Sequence, residues 1–186
     1  YPGVKDHDLS ALRCMMIGAA PLSAELQTRV HEVMGVPAIQ GYGMTETSPV
    51  TNLDYVDPSR GQPGSVGPAT ADTEQKIVDL DEGTEELPIG EEGELLMRGP
   101  QVMQGYFDDP ISTAETLTED GWLHTGDIAR MDDNGVVWIV DRKKELIKYS
   151  GFQVPPAELE GLLLEHDGVA DCAVIAKPDE RAGEIP

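Results

Sequence analysis

Hydrophobic and polar positions alternate along this chain in three distinct textures. The first is a short apolar run at residues 12–17 that stops at Gly18-Ala19-Ala20-Pro21, the pattern of a buried strand emptying into a tight loop. A helix is predicted next. Ser23 suits its N-cap, Leu26, Val30, Val33 and Met34 recur at helical spacing as its inward face, and Gly35 suits the left-handed C′ position. A second strand, residues 36–40, is then expected to empty into the loop Gly41-Tyr42-Gly43-Met44-Thr45-Glu46-Thr47. Two such loops from neighbouring strands lie side by side at the carboxyl edge of a parallel sheet, where open α/β sheets bind ligands.

From about residue 61 the texture changes to short strands punctuated by Gly and Pro. Residues 76–79, 93–98 and 136–140 read as strands, the last entered through the turn Asp132-Asp133-Asn134-Gly135, which makes an antiparallel, β-barrel-like section. Asp109 and Pro110 form a cap and first-turn pair for a brief helix to about residue 117. A third texture begins at Asp141-Arg142-Lys143-Lys144. Beyond it, residues 145–154 read as a hairpin around Ser150-Gly151, residues 156–165 as a helix with Leu159, Leu162 and Leu163 inward, and residues 169–176 as a strand. These few elements are too small to close a core of their own, so they read as the start of a domain. The fold class is therefore α/β: the end of a parallel α/β subdomain (1–60), a β-barrel-like subdomain (61–141), and the start of a small α+β C-terminal domain (142–186).

Charge narrows the partners. The 186 residues carry 13 Lys and Arg against 35 Asp and Glu, a net charge of −22. A surface so acidic repels nucleic acid and anionic lipid, so any phosphate must be met locally. Residues 72–94 alone hold ten acids against the single cation Lys76, which reads as a solvated β-loop. Four of the 13 cations, Arg142, Lys143, Lys144 and Lys148, fall within seven residues. No window approaches the roughly 18 apolar residues of a membrane span, and the first residues lack the pattern of a signal peptide, so the cytoplasm is the expected compartment. Cys14 and Cys172 each sit in an apolar run and read as two buried thiols.

Generic motifs are mostly absent. No Gly-Lys dipeptide occurs, which excludes a Walker-type phosphate loop within the chain, and Gly41-x-Gly43 fails the dinucleotide fingerprint at Glu46. The Asp132 to Gly135 turn would need Arg130 as a first calcium ligand, so it reads as a plain hairpin turn. Three constellations remain. In Gln40 to Glu46, glycines admit a ligand to the backbone, Tyr42 offers a stacking face, Thr45 a hydroxyl for phosphate and Glu46 a carboxylate for Mg²⁺; a simple turn is the competing reading. In Gly121-Trp122-Leu123-His124-Thr125-Gly126-Asp127, the final carboxylate suits the hydroxyls of a ribose or merely caps a turn. The third, Asp141 to Gln153, offers cations to anionic groups or only balances the chain's charge.

Together, in this order and at these separations, the three resemble the adenylate-forming acyl-CoA synthetases, in the branch containing 4-coumarate:CoA ligases and firefly luciferase. Ile17 to Leu22, Gly93 to Tyr106 and Val140 to Glu160 extend the resemblance over nearly the whole chain. It implies a two-step reaction: a carboxylic acid attacks the α-phosphate of Mg·ATP to give an acyl-adenylate and pyrophosphate, and coenzyme A then displaces AMP to leave a thioester. It also implies a C-terminal domain that rotates about a hinge. By motif, Gly18 and Ala19 would line the acyl-adenylate, Gln40, Gly41 and Tyr42 the adenine, and Thr45 the phosphate, with Glu46 near Mg²⁺. Gly43, Pro49 and Val50 would face the acyl group, Asp127 and Arg142 the ribose, and Lys144 is the hinge position. Lys148 and Gln153 would serve the adenylate carbonyl and phosphate, and Ser150-Gly151 coenzyme A, with Ser150 standing where coumarate ligases usually have Lys.

The resemblance also implies a Gly-rich phosphate loop upstream and a catalytic Lys near the end of the C-terminal domain, neither of which is encoded here. Slight or absent adenylation by this polypeptide alone is the corresponding expectation. A non-catalytic module that keeps the adenosine pocket is the alternative.

Overall fold

The computed structural model describes all residues except Tyr1, Pro2, Ala20, Pro21, Pro58, Glu165 and Asp167, together with the side chain of Lys5. The predicted succession of textures is realised as three sheets. In the first, β1 (Met15–Ile17) runs parallel to β2 (Ala38–Gly43), which pairs antiparallel with β3 (Val50–Leu53). Helix α1 (Ala24–Met34) makes the crossover between β1 and β2. Its ends are those expected: the Ser23 hydroxyl accepts from the Leu26 amide, and Gly35 takes φ 69°.

The inward face of α1 is not the one expected. Leu26 and Val33 are exposed, and Gln27 is the buried residue, with Val30 and Met34 half-buried on its side. The Gln27 amide explains the choice. It donates to the Ala38 carbonyl at 2.8 Å and accepts from the Gly64 amide at 2.8 Å and from Gln40 at 3.2 Å, so a polar network fastens helix to sheet. Strand β2 also runs further than predicted. Gly41, Tyr42 and Gly43 belong to the strand, because β3 pairs with them, and the loop proper is the 3-10 turn Thr45–Thr47.

The second sheet is antiparallel, in the order β4 (Glu74–Val78), β5 (Gly93–Arg98), β6 (Leu123–Met131) and β7 (Val137–Arg142), with α2 (Pro110–Thr116) between β5 and β6. Asp109 caps α2 through the Ser112 amide, as the Asp-Pro pair predicts. Asp132 accepts from the amides of Asn134 and Val136 at 2.9 Å, so the acidic turn before β7 is the expected hairpin turn. Alternate residues of this sheet supply the core: Ile77, Leu95, Met97, Ala129 and Val137, joined by Val66. Tyr42 packs against the same core, which brings β2 and the second sheet together. Strand β7 continues through Arg142, one residue past the expected boundary.

The last sheet has the order β10 (Lys177–Asp179), β11 (Gly183–Ile185), β8 (Ile147–Tyr149) and β9 (Phe152–Val154), with α3 (Pro156–Leu164) after β9. Two expectations fail here. Residues 169–176 form no strand; the strands lie just beyond, at β10 and β11, where pairing partners exist. On α3, Leu162 and Leu163 are exposed, since among the described residues Pro156 is the buried position of that helix. Cys14 and Cys172 are free and half-buried, with no disulfide between them. Among the described residues, no helix is long and apolar enough to cross a membrane.

Candidate nucleotide site

The site begins at the edge where β1 and β2 run parallel. Ile17 lies opposite Gln40, and a Cβ on Gly18 would stand 3.0 Å from the Gly41 carbonyl, so glycine permits the two strand ends to approach. Ala19 follows with φ 67°, an unfavourable left-handed conformation for a residue with a Cβ. A Cβ on Gly43 would overlap the Pro49 carbonyl oxygen. That carbonyl accepts from the Met44 amide at 3.0 Å and from the Thr47 hydroxyl at 2.6 Å, which closes the loop carrying Thr45 and Glu46. Thr45 is exposed, and Val50 is half-buried beside the exposed Pro49.

Tyr42, Asp127 and Arg142, taken from three separate sequence constellations, meet here. The Tyr42 hydroxyl donates to Asp127 Oδ2 at 2.6 Å, and Arg142 Nε stands 3.4 Å from Asp127 Oδ1, in a register where β6 and β7 pair Asp127 with Arg142. The ladder is irregular on either side of Asp127, between Glu94 and Leu96 and between Ile128 and Ala129, as strands often are where they aim a functional side chain. Burial raises the Asp127 carboxyl above the usual carboxylate range, against the opposing pull of Tyr42 and Arg142. Burial, and next the adjacent Asp127 charge, raise the Tyr42 phenol, so it remains a donor. Arg142 keeps most of its side chain in solvent. A buried acceptor paired with an exposed cation at a sheet edge suits a diol next to an anion.

A second pair forms in the hairpin. Lys148 and Gln153 are direct cross-strand partners in β8 and β9, both exposed, and the turn between them uses Ser150 at φ 50° and Gly151 at φ 86°. The Ser150 amide donates to the Ala182 carbonyl at 2.7 Å, and the Lys148 amide to Glu184 Oε2 at 2.7 Å. No hydrogen bond or ion pair joins Lys148, Gln153 or Lys144 to the Tyr42 cluster among the described residues.

Gln40 occupies a different environment from the one its motif suggests. Its side chain is buried and donates to Gln27 and to the Leu22 carbonyl, so its amide holds the fold while only its backbone lies along β2. Glu46 is half-buried and accepts from the Tyr106 hydroxyl at 2.9 Å, a bond that raises the Tyr106 phenol. Sequence reasoning assigned no role to Tyr106, although it closes the Gly93 to Tyr106 segment. It also missed Glu94, whose acid was counted with the loop but is 4% exposed beneath Lys143 and His124. No cluster of three or more His, Cys, Asp or Glu suited to a metal occurs among the described residues. Glu46 is thus a lone carboxylate, compatible with Mg²⁺ held mainly by phosphate and water.

The chain belongs to the AMP-binding enzyme family. The profile of that family matches residues 2–107, and the profile of the AMP-binding enzyme C-terminal domain matches residues 158–186. Across the whole chain it is 48% identical to a 4-coumarate–CoA ligase of Pinus taeda and to 4-coumarate–CoA ligase 2 of Oryza sativa subsp. japonica, over 35% and 33% of their lengths. It therefore spans about a third of these curated relatives. Among solved structures, o-succinylbenzoate CoA synthetase of Bacillus subtilis, in complex with its acyl-adenylate intermediate, superposes with a TM-score of 0.87 at 31% identity, covering 98% of this chain and 37% of that one. The amide bond synthetase McbA of Marinactinospora thermotolerans gives 0.87 at 34% identity, covering 99% and 37%. The α/β architecture expected from sequence is thus that of adenylate-forming ligases.

Proposed function

We propose that the protein carrying this chain is an ATP-dependent acid–thiol ligase that activates a carboxylic acid as its acyl-adenylate and passes the acyl group to coenzyme A. The observation that carries this reading is the Tyr42–Asp127–Arg142 cluster, in which three distant motifs of an adenylating enzyme converge. Asp127 accepts the ribose hydroxyls and Arg142 flanks them, while Tyr42 holds the Asp127 carboxylate and lends its ring to the adenine beside Gly41 and the backbone of Gln40. Gly18 and Ala19 line the adenylate. Gly43, Pro49 and Val50 form part of the wall facing the acyl group.

In the first step a carboxylate oxygen of the acid forms a bond to the α-phosphorus and the bond to pyrophosphate breaks. Charge accumulating on the phosphoryl oxygens is met by Lys148, with Gln153 beside it and the Thr45 hydroxyl across the site. Glu46 would help hold Mg²⁺, which neutralises phosphate charge when bound. In the second step the thiolate of coenzyme A attacks the acyl carbonyl and AMP departs, with Ser150-Gly151 on the coenzyme A path and Lys144 as the pivot that exchanges the two arrangements. The same proposal takes residues 1–60, 61–141 and 142–186 as three structural units and places the protein in the cytoplasm. An acidic surface argues against a nucleic-acid partner.

Incubation of the purified intact protein with ATP, Mg²⁺, coenzyme A and a panel of hydroxycinnamic, benzoic and fatty acids tests this. Mass spectrometry should find AMP and one acyl-CoA in equal amounts. AMP-forming turnover that yields no thioester with any acid would overturn the coenzyme A assignment, and nucleotide binding without turnover would favour a non-catalytic module.

A further inference from the structure

The turn after β7 is held from beneath by a buried carboxylate that the reaction does not use. Glu94 Oε2 accepts from Lys143 Nζ at 2.9 Å, while Oε1 accepts from the Gly126 amide at 3.2 Å and stands 3.4 Å from His124 Nδ1. The Lys143 amide in turn donates to the Gly126 carbonyl at 2.8 Å. Lys143 is therefore tied to β5 by its side chain and to β6 by its backbone. Arg142, one residue earlier, sits in the β6–β7 ladder opposite Asp127.

The turn closes two residues on, where the Glu145 amide donates to the Arg142 carbonyl at 2.9 Å. Lys144 is exposed and its side chain makes no hydrogen bond or ion pair among the described residues. Further on, the Ala157 amide at the first turn of α3 stands 3.3 Å from Asp141 Oδ2. The turn of residues 142–145 is thus closed on itself and fixed to β5 and β6 through Lys143.

We infer that Glu94 is a positioning residue that pins Lys143, and with it the turn of residues 142–145, to the central sheet. A buried carboxylate needs compensation wherever it occurs, but Lys143 supplies it from within the turn itself and so makes that turn part of the sheet. Rotation of the downstream piece then spares the Glu94–Lys143 pair, and Arg142 stays over Asp127 throughout. The use made of this fixed turn rests on the acyl-adenylating reading; the clamp itself does not.

Amide hydrogen exchange on the intact protein, as wild type, Lys143→Met and Lys143→Arg, tests the clamp. In Lys143→Met the amides of residues 143 and 145 should exchange about tenfold faster or more, the scale of a lost charged hydrogen bond, with β4 and β5 amides unchanged. Lys143→Arg should restore the wild-type rates and, with them, wild-type turnover. Should Lys143→Met fold poorly, Glu94→Gln, which keeps an acceptor for Gly126, should give the same local acceleration. Wild-type rates at residues 143 and 145 in the folded variant, or equal acceleration throughout the sheet, would overturn the inference. Acid-dependent ATP–pyrophosphate exchange measured on the same samples separates the two ideas: its absence from wild type sinks the ligase reading, while local acceleration in Lys143→Met still upholds the clamp.

Discussion

The Tyr42 hydroxyl and the Asp127 carboxylate, 85 residues apart in sequence, are joined by a 2.6 Å hydrogen bond. The bond crosses from the first sheet to the second, and the ring behind it packs on the central core. Tyr42→Phe keeps that packing and removes only the donor, leaving one oxygen of a buried carboxylate unpaired. The expected loss is about 1.5–3 kcal/mol of unfolding free energy in a denaturant titration, the range for hydrogen bonds to charged groups. The Asp127 carboxyl should also titrate higher than in wild type, because the Tyr42 bond opposes the effect of burial. An unchanged titration midpoint would show that the bond contributes nothing.

Lys148 is the cation proposed to face the α-phosphate. Lys148→Ala in the intact protein should lower turnover about a hundredfold or more, on the scale of a lost charge-stabilising donor. Its backbone bond to Glu184 is untouched by this change, so stability should hold. A loss under about threefold would remove Lys148 from the chemical role.

Gly43 has an architectural function whatever the acyl group proves to be. Gly43→Ala would drive its methyl into the Pro49 carbonyl, a backbone atom that cannot swing aside, and the loop holding Thr45 and Glu46 would have to shift. About 2–3 kcal/mol of destabilisation is expected from such overpacking, and thermal unfolding measures it. A melting midpoint equal to wild type would mean that the turn adapts freely.

Asp79 couples the loop after β4 to acid. Its carboxylate accepts from the amides of Glu82, Gly83, Thr84 and Glu85, and these bonds hold it well below the usual carboxylate range. A depressed folded value means that its contribution is present above the unfolded value near pH 4 and is lost as pH falls further. Protection of the 82–85 amides, taken relative to their intrinsic exchange rates, should therefore weaken below about pH 4. In Asp79→Asn it should already be weak at neutral pH; protection equal to wild type would contradict this.

Much of this arrangement is legible in the chain because local chemistry dictates it. Ser23, Asp109 and Asp132 cap or turn the backbone where their side chains reach neighbouring amides, Gly35 ends α1 through its left-handed backbone, and those elements lie where predicted. Periodicity misled where burial is decided by distant partners. The helix α1 turns Gln27 inward because Ala38, Gln40 and Gly64 offer it hydrogen bonds, which no apolar pattern records. Residues 169–176 have the composition of a strand, yet pairing goes to β10 and β11. The site shows the same division. Tyr42, Asp127 and Arg142 are recognisable by motif, but their meeting depends on the register of β6 and β7, and Glu94 is indistinguishable in sequence from its nine solvated neighbours.

The central claim is that the carboxylate of Asp127 serves nucleotide during acyl-adenylate formation. ATP–pyrophosphate exchange by the intact protein, driven by its best carboxylic acid and compared between wild type and Asp127→Ala, tests it most directly. Exchange that requires both the acid and Mg²⁺ and falls about a hundredfold in Asp127→Ala is the predicted result, the loss expected when a charged hydrogen-bonding group is removed from an active site. Exchange by Asp127→Ala at the wild-type rate, or none by wild type with any acid, would contradict it.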